Sequence, residues 1–310
     1  MTECAICSST HLETFRAPEW MFRTGKAFLY AFCRNCFCIQ LQEKVTDFSD
    51  IYPRQYHSFQ RDLEQFYSTP LQKKELNKLK FQFENHDAHL KKHSTLAVLR
   101  GFKVGKEMQI ADIGCGSGEL LYLLKELGFE QTIGFDPYLK SNIRYSNGLE
   151  IKKLGIDQIQ DSFDLIMLHH SFEHMENPRM VLKRLCHLLK DSQGKLLIRI
   201  PLVNHAWNCF REYWYQLDPP RHIHLYSMRG FTLLLKECGL EIERTIFDST
   251  PAQILLSEKN FYRFNRKDLN YYLKRLIKPV RRMLLKRQVA RWNREGLGDQ
   301  AAFLIKKAEV

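Results

Sequence analysis

The chain has 310 residues, 44% of them hydrophobic and 26% charged. That is enough for a full catalytic domain with a small accessory module, and it excludes wholesale disorder, solenoid repeats and a membrane span. The formal charge is +12, from 47 Lys+Arg against 35 Asp+Glu; this suits a polyanion, an acidic membrane surface or an acidic substrate without choosing among them.

Nine cysteines without a basic and apolar leader segment read as reduced thiols or metal ligands in a cytoplasmic protein. Cys4-Ala5-Ile6-Cys7 and Cys33-Arg34-Asn35-Cys36 form a CxxC…CxxC pair. Each two-residue gap aims two thiolates at one ion, so Cys4, Cys7, Cys33 and Cys36 are expected to hold a closed structural Zn2+ site, with Cys38 and His11 as substitutes. Short strands around Phe22 and Phe28-Leu29-Tyr30 would bring the two turns together. A ribbon-like module over 1–44 follows, and the metal would contribute much of its folding free energy. Residues 45–98 read as a helical linker or lid, with helices at Asp62–Tyr67, Leu71–Leu79 and His86–Leu99. His86, His89 and His93 would share one helix face, which reads as a solvated face.

The most informative segment runs from Met108 to Glu119. A strand at Gln109–Ile113 enters the turn Gly114-Cys115-Gly116-Ser117-Gly118, and an apolar-periodic helix starts at Glu119. Glycines allow a ligand to approach the backbone at a helix N-terminus. The third position after Gly116 is Glu119 rather than glycine, which disfavours a pyrophosphate, and no Gly-Lys-Ser/Thr ending supports a phosphate loop. Asp112 instead suits the ammonium of an amino-acid-bearing cofactor. A second strand ends at Asp136, where a carboxylate can accept both hydroxyls of a ribose.

These residues resemble the class I S-adenosylmethionine (AdoMet)-dependent methyltransferases. Asp112-x-Gly114-x-Gly116-x-Gly118 matches their first motif and Asp136 their ribose acid. The likeness continues through Asp161–Met167, His170–Pro178 and Gly194–Pro201. It covers roughly 97–249 and the last strand, Gln300–Lys306. The resemblance implies an α/β, Rossmann-like seven-stranded sheet with flanking helices over 99–310. It also implies AdoMet binding by Asp112, Gly114, Cys115, Gly116, Gly118, Asp136, Pro137, Asp157 and His169, with Asp157 near the adenine amine. The cysteine ribbon and the segment Trp214–Ser227 resemble methyltransferases of surface polysaccharide and deoxysugar biosynthesis. This implies O-methylation of a saccharide, nucleotide-sugar or lipid-linked glycan. Alternatives are a small aromatic or quinone-like acceptor, RNA or protein, and a binding module without turnover.

In an open α/β sheet, ligands lie beyond the carboxyl ends of the strands. The exits at His169–His174 and Pro201 therefore face the cofactor, and the loop from Leu202 to Ser227 can cover an acceptor. Methyl transfer to a hydroxyl needs a proton acceptor, for which His174 stands first and His222 or His224 second. Each has an alternative role in packing or capping. Arg221 could pair with an anionic group of the acceptor, and Trp214 and Tyr226 could offer flat surfaces to a ring, against a structural salt bridge and core packing. A basic helical insertion is expected at about 251–296, with helices at Asp268–Lys278 and Arg281–Trp292 around Pro279. It could lie on an anionic membrane at the inner face, cover the sheet, or bind nucleic acid, the last ranked behind the others.

Overall fold

The coordinates are a computed structural model that describes residues 2–22, 24–43, 62–85, 90, 94–264 and 278–308. The N-terminal part folds as antiparallel strands β1 (Leu12–Pro18), β2 (Ala27–Cys33) and β3 (Ile39–Leu41). The strand expected at Phe22 is a turn instead. The Glu19 carboxylate accepts the backbone N–H groups of Met21, Phe22 and Thr24 at 2.9–3.2 Å, which curls the chain after β1. Phe28-Leu29-Tyr30 lies in β2 as expected.

Three helices follow: α1 (Leu63–Ser68), α2 (Pro70–Glu84) and α3 (Ser94–Gly101). Asp62 and Thr69 cap the first two by accepting from Gln65 N and Gln72 N, and Pro70 occupies the first position of α2, where its missing N–H has no helical partner to lose. The proposed His86, His89 and His93 face, and residues 45–61 of the linker, lie outside the described residues.

The large sheet is built from β4 (Ile110–Ile113), β5 (Thr132–Phe135), β6 (Ile143–Arg144), β7 (Glu150–Lys152), β8 (Leu165–His169) and β9 (Lys195–Pro201). Helix α4 (Glu119–Glu126) follows β4 and α5 (Pro178–Leu188) follows β8. After β9 come α6 (His205–Phe210), β10 (His224–Leu225), α7 (Met228–Glu237) and β11 (Leu240–Phe247). Helices α8 (Pro251–Phe264) and α9 (Lys278–Arg294) precede β12 (Gln300–Lys307). The order is β11-β12-β9-β8-β4-β5-β7-β6. Strands β7, β5, β4, β8 and β9 are parallel, and β12 runs antiparallel between β9 and β11. From β4 the chain moves outward through β5 and β7, then returns to β8 on the other side. The switch point therefore lies between β4 and β8, where their exit loops diverge and leave a crevice. This is the Rossmann-like sheet expected from the sequence, with one additional edge hairpin at β6.

The cysteine module is not set apart from this sheet. Strand β10 leaves the large domain and pairs with β3, His224 opposite Gln40 and Leu225 opposite Ile39. Cys4, Ile6, Cys33 and Cys36 share a buried core with Leu182 of α5 and Phe231 of α7. Arg179 of α5 donates to the Ala5 and Ile6 carbonyls, tying α5 to the first CxxC turn.

In the insertion, most of the helix expected at Asp268–Lys278 lies outside the described residues. Helix α9 contains the second expected segment and has Pro279 in its first turn. Leu285 and Val289 face inward, and Arg281 pairs with Glu258 of α8. Trp292 packs on His205 with ring centroids 4.0 Å apart. The helix thus covers its own domain with one face. Among the described residues, no helix is long and apolar enough to cross a membrane.

Candidate active site

The loop after β4 begins with Gly114 at φ +76°, and a Cβ there would stand 2.5 Å from Ser171 Cβ. Ser171 Oγ donates to Ile113 O at 2.7 Å, so the β4 and β8 exits are fastened together with no room for a side chain. Gly118, at φ +82°, starts α4 with a left-handed turn that L side chains rarely adopt. Asp136, at the end of β5, accepts from Gly116 N through Oδ2 and from Tyr138 N through Oδ1, both at 2.9 Å. The carboxylate thereby fixes the glycine loop.

Two cavities flank this loop. The smaller, about 470 Å³, is lined by Asp136, Pro137, Asp157, Ser171, Met175 and their neighbours. The larger, about 520 Å³, is lined by Asp112, Cys115, His169, His222, Tyr215 and Gln216 among others. Gly114, Gly116, His170 and His174 border both, so the two form one crevice with a waist at the glycine loop.

Asp112 is 4% exposed, and its Oδ1 has no hydrogen-bond partner among the described residues. Burial, with repulsion from Asp136 added, pushes its carboxyl well above the ordinary range. A cationic group placed against Oδ1 would reverse both penalties. An amino-acid-bearing cofactor such as AdoMet supplies one, so the crevice fits that cofactor. His169 has both ring nitrogens buried without a partner among the described residues, and burial drives its pKa well below normal. At neutral pH it is a neutral group lining the larger cavity.

Residues 78–245, more than half of the chain, match the model of a family described as a methyltransferase domain. The chain belongs to this family. The methyltransferase is a class I, AdoMet-dependent enzyme by this match, the sheet order and the fit of the crevice. It is 28% identical to the tRNA U34 carboxymethyltransferase of Campylobacter hominis over 111 residues, 33% of this chain and 39% of that protein. To the enzyme of that name from Helicobacter pylori (strain Shi470) it is 28% identical over 112 residues, 32% of this chain and 42% of that protein. The match thus spans about two-fifths of the length of these relatives. Among solved structures, a putative sarcosine dimethylglycine methyltransferase from Galdieria sulphuraria is 18% identical, with 72% of this chain and 88% of that chain covered and a TM-score of 0.43.

One expectation is overturned by these relatives. The sequence pointed to a saccharide, nucleotide-sugar or lipid-linked glycan partner, with nucleic acid ranked behind. The curated relatives are named for tRNA, which reverses that ranking. Within the segment Trp214–Ser227, Tyr215, Gln216 and His222 line the larger cavity, whereas the three residues expected to meet the acceptor, Trp214, Arg221 and Tyr226, are packed away from it. Trp214 and Tyr226 are fully buried, Trp214 beside Trp207 and Tyr226 stacked on Phe172. Neither lines either cavity. Arg221 has a fully buried side chain clamped by Asp218 at 2.6 Å and Glu19 at 2.9 Å, so its fork is not available to an anionic acceptor. Its role is structural: it joins the turn after β1 to the loop that carries His222.

Of the three candidate bases, His224 points away from both cavities. It is buried on β10, and its Nε2 meets Glu176 O at 3.0 Å. His174 and His222 come together with ring centroids 4.8 Å apart, and both line the larger cavity. Nδ1 of His174 lies 2.8 Å from Arg221 O, and Nδ1 of His222 lies 2.7 Å from Gln216 O. A carbonyl only accepts, so both rings carry their proton on Nδ1 and Nε2 is the basic nitrogen. Burial, and then the neighbouring His174, pushes His222 down to about 4.

Two residues that the sequence did not single out complete the site. Glu173 is fully buried; burial raises its pKa, but the hydrogen bond from His170 and the charges of His170, His222 and His174 together outweigh it and bring the group down to about 2. His170 sits at φ +54°, with Nδ1 3.2 Å from Glu173 Oε1 and Nε2 2.7 Å from Arg199 Nη1. Arg199 in turn pairs with Asp248 at 2.6 Å. Because Arg199 can only donate, His170 accepts at Nε2 and donates from Nδ1 to Glu173. The sequence signal was the run His169-His170-Ser171-Phe172-Glu173-His174, but only the 3-10 turn at Phe172–His174 shows which members turn inward.

The cysteine cluster also assembles. Cys4 Sγ lies 3.5 Å from Cys36 Sγ and Cys7 Sγ 3.6 Å from Cys33 Sγ, and all four sulfurs lie within 4.8 Å of one another. A tetrahedral ion with bonds of about 2.3 Å sets sulfurs about 3.8 Å apart, so the cluster could hold one. Amide N–H groups of Ile6 and Cys36 point at Cys4 and Cys33 sulfurs, which suits thiolates. Cys38 faces Cys36 O instead.

Proposed function

We propose that this enzyme transfers the methyl group of AdoMet to an RNA acceptor bound in the larger cavity, and that its cysteine cluster holds structural zinc. The buried, unpartnered Asp112 carboxylate at the waist of the crevice carries the cofactor assignment. AdoMet supplies an electrophilic methyl on a sulfonium centre. Asp112 neutralises the ammonium, Asp136 accepts the ribose hydroxyls, and the backbone of Gly114, Gly116 and Gly118 allows close approach. Cys115, Pro137, Asp157 and His169 complete the walls around the nucleoside and amino-acid ends. The acceptor is activated at the wall of the larger cavity where Glu173, His174 and His222 cluster, and its proton passes on to solvent.

The tRNA-acting relatives support an RNA acceptor, as does the +12 charge, part of which is concentrated on α9 as Arg282, Lys286, Arg287 and Arg294. Phosphates are neutralised by such charge without regard to sequence. Incubation of the purified enzyme with methyl-tritiated AdoMet and total tRNA tests the reading. Nuclease-sensitive counts and RNA-dependent release of S-adenosylhomocysteine (AdoHcy) are expected. Tight AdoHcy binding with no RNA-dependent turnover would refute the RNA acceptor and leave the cofactor assignment standing.

A further inference from the structure

We propose that Glu173, His174 and His222 bind a divalent transition-metal ion on the wall of the larger cavity, a second metal site distinct from the cysteine cluster. One donor atom of each residue lies within 4.8 Å of the other two. An ion with bonds of about 2.1 Å holds nitrogen and oxygen donors about 3–4 Å apart, so binding closes the cluster by about an ångström.

Three independent features prepare these side chains as ligands. Both histidines donate Nδ1–H to a backbone carbonyl, at Arg221 and Gln216, which fixes the rings and makes Nε2 the donor nitrogen. Metal-bound histidines recurrently use their second nitrogen in this way. The Glu173 carboxylate is oriented by the chain Asp248–Arg199–His170, which engages Oε1. Its other oxygen, Oε2, is fully buried without a hydrogen-bond partner among the described residues. The oxygen nearest the histidine pair is Oε1, 3.9 Å from His222 Nε2, and a cation seated between them also offsets the charge left on the unengaged Oε2.

Two imidazoles and one carboxylate leave open coordination positions, the mark of a reactive rather than a structural site. His174 and His222 line the larger cavity, so those positions face incoming acceptor. An acceptor oxygen completes the coordination, and the ion acts as a Lewis acid on it. That last role rests on the methyl-transfer reading; the metal site itself does not.

Manganese is the probe, because it disfavours thiolates and leaves zinc in the cysteine cluster. The full chain is dialysed against a weak chelator, and Mn2+ is added while the six-line electron paramagnetic resonance signal of the free ion is followed. One equivalent should bind to the wild type. Glu173→Gln and His222→Asn should each weaken it at least tenfold while AdoHcy affinity, measured in parallel, persists. Gln keeps the acceptor for His170, and the Asn amide can replace the Nδ1 donor toward Gln216. Absence of stoichiometric manganese binding in the wild type, or unchanged affinity in both variants, overturns the proposal. Failure of the wild type to bind AdoHcy strikes the methyltransferase reading alone.

Discussion

Asp112→Asn should stabilise the enzyme without cofactor and weaken its hold on the cofactor. In the unliganded protein the carboxyl is buried, unpartnered at Oδ1 and close to the Asp136 charge, which together raise its pKa well above normal. A carboxyl with a raised folded-state pKa contributes stability that is fully present below about pH 4, its unfolded value, and lost as pH rises through the folded value. At pH 7.5 that contribution is reduced or gone, and asparagine, which does not titrate, restores it. Removing the buried charge and its repulsion with Asp136 is worth about 1–3 kcal/mol, a few degrees in Tm for a chain of this size, although the amide still lacks a partner there. The ammonium of AdoHcy loses a charge-assisted hydrogen bond worth about 1.5–3 kcal/mol, which weakens binding roughly 10–150-fold. Because the ligand needs the ionised carboxylate, wild-type affinity should climb with pH through this titration, and the slope should vanish in the variant. Differential scanning calorimetry with and without AdoHcy, and isothermal titration at three pH values, read all of this. A variant that binds AdoHcy as tightly as the wild type, or melts lower without it, would refute the reasoning.

Four further outcomes follow from the packing. Gly114→Ala should lower stability by about 2 kcal/mol or more in urea unfolding and impair AdoHcy binding, since φ +76° and a Cβ 2.5 Å from Ser171 Cβ act together. Arg221→Met should destabilise by about 3–5 kcal/mol, because Glu19 and Asp218 are left buried without their cation; adding Glu19→Gln and Asp218→Asn should recover much of the loss. Burial pushes Asp299 up to about 7 against the opposing hydrogen bond from Ala206 N, so its contribution to stability is present below about pH 4 and declines as pH rises through 7. Asp299→Asn should flatten the urea midpoint over that window. Removing zinc with a strong chelator should raise amide exchange along β1, β2 and β3 and, through the β3–β10 pairing, at His224 and Leu225.

Much of the fold was legible because local chemistry dictates it. The strand–glycine–helix pattern of 109–124, the apolar runs of β8 and β9, and the last strand at 300–306 each carry their own period and turn signals. Asp112 and Asp136 were legible for the same reason: both stand at strand ends, where the sheet topology puts ligands. The CxxC pair announced its sulfurs by spacing alone. The turn after β1 was not legible, since the Glu19 carboxylate that organises it also pairs with Arg221, about 200 residues later.

Local sequence sufficed for the strand, glycine loop and helix at 109–124, for the sheet that must form and for the placing of Asp112 and Asp136 at strand ends, because those follow from periodicity, glycine conformation and strand polarity along short stretches of chain. Tertiary structure decided which of the polar and aromatic residues in 169–226 face the crevice. Arg221, Trp214 and Tyr226 look like recognition groups in one dimension and are buried supports in three. Glu173, an unremarked acid in the sequence, becomes the centre of the His170, His174 and His222 cluster. The physical reason is that side-chain direction in irregular segments is set by partners far away in the chain, here the β10–β3 pairing and the Glu19–Arg221–Asp218 clamp. No local pattern records such partners.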